Sequence, residues 1–442
     1  MTARLLTFWA RINASYWFWP ATFSLSAFFL ALLTLHFDRS GMADVLSSNA
    51  AIIPARPDGA STMLQVIAGS MIGVAATVFS ITIAAVAYAS GTYGPRLLTN
   101  FMEDRGNQLS LATFIGTFVY AIMVLRAVRA ENEQPSTIVD TLASDMPGFV
   151  PQLSLLVATG FMLVSIATLV FFLNHIPSSI RINVVLRRIG ERLIRQVQDR
   201  FPQEGSDGET RNEFSGDPVP ANGSGYIEVI DFAGLQNIAS DCDTSIALNR
   251  RAGEFVHPRM VLAHFQGSSP DDDVVGKVQS CFILSGLRTP QQDLPFLIDE
   301  LVEITLRALS PGINDPFTAI TAIHWLGAAT AELGRRELCV SPNDKDKQDK
   351  RRIYPLHLDF GEYLQLGFGS ARSAIASCPK AAIETFKAMA DCGQSIESRP
   401  RIAAILAEGD RLFEQAQLHI KGPDLADVTA AHDRFRTAIA GQ

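Results

Sequence analysis

Charge is scarce in the first 177 residues, which hold 8 Arg, no Lys and 9 Asp or Glu. The first lysine of the 442-residue chain is Lys277. The other 265 positions hold 29 basic and 36 acidic side chains. Such asymmetry argues against one globular enzyme and for a membrane half joined to a water-soluble half. The net charge of -8 argues against bulk nucleic-acid binding, which wants a basic face. Cysteine is missing from the apolar half. Cys242, Cys281, Cys339, Cys378 and Cys392 are odd in number and form no CxxC pair, so neither a disulfide framework nor a zinc ribbon is suggested. Buried, reduced thiols in a cytosolic domain are expected. The chain also lacks G-x-S-x-G, a P-loop, H-E-x-x-H and a Rossmann glycine set. The histidines at 257, 264, 324, 357, 419 and 432 are scattered, with no metal-ligand spacing. No catalytic residue, metal ligand or cofactor is therefore assigned, and the expectation is a protein that is not an enzyme.

Long uncharged runs are what the first half does contain. There are 26 uncharged residues between Arg11 and Asp38, 37 from Gly59 to Pro95, 20 from Gly106 to Leu125 and 35 from Met146 to Ile180. A helix needs about 20 apolar residues to cross the hydrocarbon core, and a charge at its centre costs roughly 2.5–3.5 kcal/mol. Four crossings are predicted, near 16–37, 63–89, 107–125 and 152–174. Arg4 and Arg11 ahead of the first run resemble a secretory leader, and Gly41-Met42-Ala43 follows it. The run is longer than a leader core, and the cluster Tyr16-Trp17-Phe18-Trp19 suits a retained span better.

Loop charge sets the direction. Arg4 and Arg11 precede the first span, and Arg181, Arg187, Arg188, Arg192 and Arg195 follow the fourth. The loop between spans three and four carries Glu131, Glu133, Asp140 and Asp145 against Arg126 and Arg129. The positive-inside bias places both termini in the cytoplasm.

The second span has an unusual stripe. Ser70, Gly73, Thr77, Ser80, Ala84, Ala87 and Gly91 repeat at heptad a and d spacing, and all are small; Gly69 and Gly73 form a GxxxG pair. Small residues let helix backbones approach closely. Two readings are open: tight packing against other spans of the same subunit or a twin, and a narrow polar stripe lining an ion path in an oligomer. No charged residue lies inside a predicted span, so a buried charged coupling site is not expected. Any path would rely on hydroxyls, carbonyls and mouth charges, with Arg96, Arg105 and His175 as inner-mouth candidates. Their plainer reading is a solvated turn around Arg96, Glu103, Asp104 and Arg105, and an interfacial anchor at His175. An amphipathic segment over 97–105 could lie at the inner interface.

The chain is divided as follows: 1–177, four-helix transmembrane domain; 178–201, amphipathic basic connecting helix; 202–224, flexible linker; 225–287, small β-rich module; 288–442, helical cytoplasmic domain. In the connecting helix Ile182, Leu186, Ile189 and Leu193 share one face among arginines. It either lies on anionic headgroups or joins a helical stalk. Residues 225–230, 244–248, 254–257, 260–265 and 280–284 read as strands of a barrel-like module. Asp271-Asp272-Asp273 lacks the spacing of a calcium loop and reads as a solvated turn. Helices are expected at 292–308, 319–333, 358–377, 379–395, 399–420 and 424–439, with Asn314-Asp315-Pro316 stopping one helix and capping the next. The fold class is thus an α-helical integral membrane protein with four transmembrane helices and a cytoplasmic α+β domain, a small β-rich module followed by a helical bundle.

Several blocks resemble a known family. They are Gly73-Val74-Ala75-Ala76-Thr77-Val78-Phe79-Ser80-Ile81-Thr82, Gly94-Pro95-Arg96-Leu97-Leu98, Thr113-Phe114-Ile115-Gly116-Thr117-Phe118-Val119-Tyr120, and, most specifically, Arg307-Ala308-Leu309-Ser310-Pro311-Gly312-Ile313-Asn314-Asp315-Pro316-Phe317-Thr318-Ala319. The sequence is similar to the bacterial predicted membrane proteins grouped as domain of unknown function 2254, along nearly its whole length. That resemblance implies a bacterial inner-membrane protein with a cytoplasmic C-terminal region and brings no activity or site residues. The expected function is a homo-oligomeric channel or transport-related protein with a cytoplasmic regulatory domain, its partners being the lipid bilayer, further copies of itself and a small ion or ligand. The alternative is a membrane-anchored sensor or scaffold whose soluble half binds a ligand or protein.

Overall fold

The computed structural model describes residues 12, 15–40, 56–94, 104–129, 149–201, 216–266, 269–338 and 352–440. The chain forms two compact units.

Among the described residues the first unit holds four helices: α1 (Phe18–Arg39), α2 (Pro57–Tyr93), α3 (Arg105–Leu125) and α4 (Gln152–Ser179). All four are long and apolar enough to cross a membrane. At about 1.5 Å per residue the shortest, α3, matches a hydrocarbon core of about 30 Å, whereas the 37-residue α2 reaches about 55 Å. Pro57 starts α2 six residues ahead of the expected 63, where its missing N–H costs nothing. Helix α4 runs five residues past the expected 174, with Pro177 inside it.

Packing sorts the apolar residues. Ala27, Ala31, Ala60, Leu64, Met71, Phe114, Tyr120, Leu155 and Phe172 belong to one buried cluster. Phe29, Leu33, Val66, Leu163, Val170 and Leu173 remain exposed. Lipid would cover such side chains, which water would not tolerate in this number. Hydroxyls pin three helices together. Thr34 of α1 meets the Tyr120 hydroxyl of α3 at 2.9 Å, Tyr120 donates to the Ser154 carbonyl of α4, and Thr117 of α3 meets Ser165 of α4 at 2.9 Å. Where lipid replaces water, such interhelical bonds and close packing do the work of the hydrophobic effect.

The second unit begins with α5 (Ile182–Arg200). Strands β1 (Asp217–Pro220) and β2 (Gly225–Ile230), helix α6 (Phe232–Asp241), and strands β3 (Ser245–Leu248), β4 (Phe255–Val256) and β5 (Val261–Gln266) follow. Helix α7 (Asp272–Ser280) and strand β6 (Phe282–Ser285) complete the mixed region. The strands form two sheets, β1-β5-β3-β7 and β4-β2-β6, where one barrel was expected; β7 is Ile353–Tyr354 and runs parallel to β3. Residues 217–220, read as linker, are a strand paired with β5, and Val219 is fully buried. Residues 202–215 of that linker lie outside the described residues. Helices α6 and α7 were not read from the sequence. Asp231 caps α6 by accepting from the Gly234 N–H, and Asp271 caps α7 by accepting from the Val274 N–H, so the acidic run opens a helix rather than a turn.

The helical part contains α8 (Leu294–Ala308), α9 (Pro316–Arg335), α10 (Phe360–Leu364), a π-helical turn (Gln365–Gly369), α11 (Ser370–Ala376), α12 (Pro379–Gln394), α13 (Arg399–His419) and α14 (Pro423–Ala440). Asp315 accepts from both the backbone and the hydroxyl of Thr318, with Pro316 at the first helical position. The expected helix at 358–377 is thus divided by the π-turn. Buried Arg401 donates to the carbonyls of Leu333, Gly334 and Arg336, closing the C-terminal end of α9.

Candidate functional site

The candidate site grows from α2. At 3.6 residues per turn, Ala60, Leu64, Ile67, Ala68, Met71, Ala75, Val78 and Thr82 share one face, and all are buried. Ser70, Gly73, Thr77, Ser80, Ala84 and Ala87 fall roughly on the opposite face, and all are exposed. Nothing lies within 4 Å of a Cβ placed on Gly69 or Gly73. The small stripe is therefore not the surface by which α2 packs inside its own subunit, which removes one of the two packing partners open in the sequence. The large side chains Ile72, Phe79 and Tyr88 are exposed too. The hydroxyls of Thr77 and Ser80 donate to the carbonyls of Gly73 and Ala76, at 3.0 and 2.9 Å.

The three inner-mouth candidates are not brought together. Arg96, with the amphipathic segment after it, lies outside the described residues. Arg105 is the exposed first residue of α3. His175, read as a lone anchor, has a carboxylate partner: its Nε2 lies 2.8 Å from Asp104 Oδ1. Asp104 in turn was read as part of a solvated turn, yet its side chain is only 5% exposed. It caps α3, accepting from the Gly106 and Asn107 N–H groups. The reason is local: the helix N-terminus offers unpaired donors and a partial positive charge, which hold a carboxylate where loop composition would leave it in water. Gly106 makes the contact possible, since a Cβ there would stand 2.6 Å from His175 Nε2. The His175 ring also stacks on Phe171.

A second carboxylate escaped the sequence reading. Asp38, taken as the boundary of the first span, accepts from the Leu153 and Ser154 N–H groups and from the Ser154 hydroxyl, at 2.9, 3.0 and 2.6 Å. It thereby neutralises the N-terminus of α4, whose own cap position is Pro151 and supplies no side-chain acceptor. Only the Ser154 hydroxyl, three residues into an apolar run, could have hinted at this partner.

The second unit offers little that is aimed outward. Among the described residues no group of three or more His, Cys, Asp or Glu is placed to hold a metal ion. Cys281 and Cys392 are buried, as expected, whereas Cys378 is half-buried and Cys242 is exposed; Cys339 lies outside the described residues. Arg288 joins Asp293 and Asp299, at 2.8 and 2.7 Å. Burial pushes the Asp293 carboxyl up, against the pull of Arg288.

The profile of the family described as DUF2254, predicted membrane protein, matches residues 13–391. The chain belongs to this family. Uncharacterised proteins of Mycobacterium tuberculosis and Mycobacterium bovis are 30% identical to it over 328 residues, which is 72% of this chain and 60% of theirs. The chain thus spans 60% of the length of those curated relatives. No solved structure shows a significant match. As a DUF2254 member the chain is a predicted membrane protein, mostly helical, with four candidate spans followed by a region that contains strands.

Proposed function

We propose that this DUF2254 protein is a homo-oligomeric channel or transport-related protein of the bacterial inner membrane. Both termini lie in the cytoplasm, the second unit regulates the path, and the protein performs no catalysis. The observation that carries this reading is the exposure of the small polar stripe on α2. In lipid a surface of Gly, Ala, Ser and Thr gains little from acyl chains. It gains more from close approach of another helix or from water and ions. Copies of α2 arranged about an axis would turn Ser70, Thr77 and Ser80 toward one another.

The experiment combines crosslinking and flux. Gly73→Cys or Thr77→Cys is expected to give disulfide-linked dimers in membranes, and a control on a different exposed face of α2, Ile72→Cys, to give few. Purified protein in liposomes is expected to pass ions under some voltage, tension or pH, and Thr77→Leu to reduce that flux at least tenfold. Absence of flux under all three stimuli would overturn the channel. Crosslinking without flux would instead favour the membrane-anchored scaffold, whose fragment 225–442 should then capture a partner by itself.

A further inference from the structure

The dipeptide Asn-Gly occurs once in the chain, at Asn222-Gly223, in the turn between β1 and β2 of the second unit. The turn is fastened on one side. The Ala221 N–H donates to the Met260 carbonyl at 2.7 Å, and the Arg259 N–H donates to the Ala221 carbonyl at 3.3 Å. The next two residues are not held in this way. Asn222 is exposed. Among the described residues neither its side chain nor the Gly223 N–H makes a hydrogen bond. Position 223 also has no Cβ to shield the peptide nitrogen, and glycine lets the backbone turn that nitrogen toward the preceding side chain. Asn314 makes the contrast. It is exposed as well, but the N–H that follows it, on Asp315, is held by the Ala308 carbonyl at 2.7 Å.

We propose that Asn222 is a site of spontaneous covalent modification, deamidation through a cyclic imide. The Gly223 peptide nitrogen gives its proton to solvent hydroxide and attacks Cγ of Asn222. The bond from Cγ to the side-chain nitrogen breaks, and that nitrogen takes a proton from water and leaves as ammonia. Water then adds to either carbonyl of the five-membered ring and breaks its bond to the ring nitrogen. One opening leaves an aspartyl residue. The other leaves an isoaspartyl linkage, with one more methylene in the main chain. Both place a new carboxylate just ahead of β2. Structure normally slows this reaction by tying up the attacking N–H or burying the side chain, and here neither protection exists. A surface turn leaves both groups open to water.

The test incubates the full chain in neutral detergent, at neutral and at mildly alkaline pH, beside the same protein in denaturant. Peptide mass spectrometry follows loss of the amide, and chromatography separates aspartyl from isoaspartyl peptides. Asn222 is expected to convert at equal rates folded and denatured, faster at the higher pH, and to give both products. Asn314 is expected to convert about fivefold more slowly folded than denatured, because the Asp315 N–H must first leave its carbonyl. Gly223→Ala should slow conversion at position 222 severalfold and keep the thermal midpoint, since the added Cβ would stand 3.4 Å from Leu284 Cδ1, an ordinary contact. The inference falls if the folded protein keeps Asn222 while the denatured protein loses it. It also falls if only the aspartyl product forms, or if Gly223→Ala converts as fast as the parent protein. None of these outcomes depends on whether the protein conducts ions.

Discussion

Single residues decide how closely elements approach. Gly190 is required by Trp325: a Cβ at position 190 would stand 2.3 Å from a ring carbon. Gly190→Ala is expected to cost about 1–3 kcal/mol through overpacking, seen as a lower thermal midpoint in detergent. Pairing it with Trp325→Leu should restore part of the loss. Cys392 gives a pH signature. Its thiol is buried, donates to the Gly327 carbonyl, and is pushed up by burial from 9.0 to about 12. A raised folded value means that stability is fully present below pH 9 and lost as pH climbs toward 12, because the unfolded thiol ionises first. The loss approaches about 4 kcal/mol across that window. Cys392→Ala should flatten the alkaline limb of stability against pH relative to the parent. Thiol reagents should label exposed Cys242 in the folded protein and Cys392 only after denaturation.

Elements are joined by two kinds of contact. Helices α1, α3 and α4 share side-chain hydrogen bonds at Thr34–Tyr120, Thr117–Ser165 and Asp38–Ser154. Helix α2 joins the cluster through Ala60, Leu64, Ile67, Met71 and Ala75. Asp38→Ala should lower stability by roughly 1–3 kcal/mol, seen as a lower thermal midpoint, since it strands the amides at the head of α4. Ser154→Ala should cost less, and the double variant should be less damaged than the sum, because both remove one network. Ser70→Ala and Ser80→Ala, on the exposed stripe, should leave protomer stability within about 0.5 kcal/mol. A loss larger than that would mean the stripe is packed within the subunit.

At the scale of the whole molecule, the contrast between a nearly uncharged part and a charged part predicts behaviour. The chain is expected to stay with membranes through high-salt and alkaline washes and to leave only with detergent; release by either wash would contradict four crossings. Reporter fusions at both ends should mark the cytoplasmic side, and a periplasmic signal from the C-terminal one would reverse the proposed orientation.

The four candidate spans were legible because hydrocarbon rejects charge, and that rule needs only a count along the chain. The helix stop at Asn314-Asp315-Pro316 was legible for a similar reason: capping acts over three or four residues. What sequence could not decide was which side of α2 meets its neighbours. The helix carries two stripes of compatible spacing, one through Leu64, Met71 and Val78 and one through Ser70, Thr77 and Ala84, and only the shapes of α1, α3 and α4 select the first. Asp38 and Ser154 are 116 residues apart, and Asp104 and His175 are 71 apart. No local rule links such pairs. Their contacts exist because folding brings a carboxylate to unpaired helix-end amides or to a ring, and that proximity belongs to the tertiary structure alone.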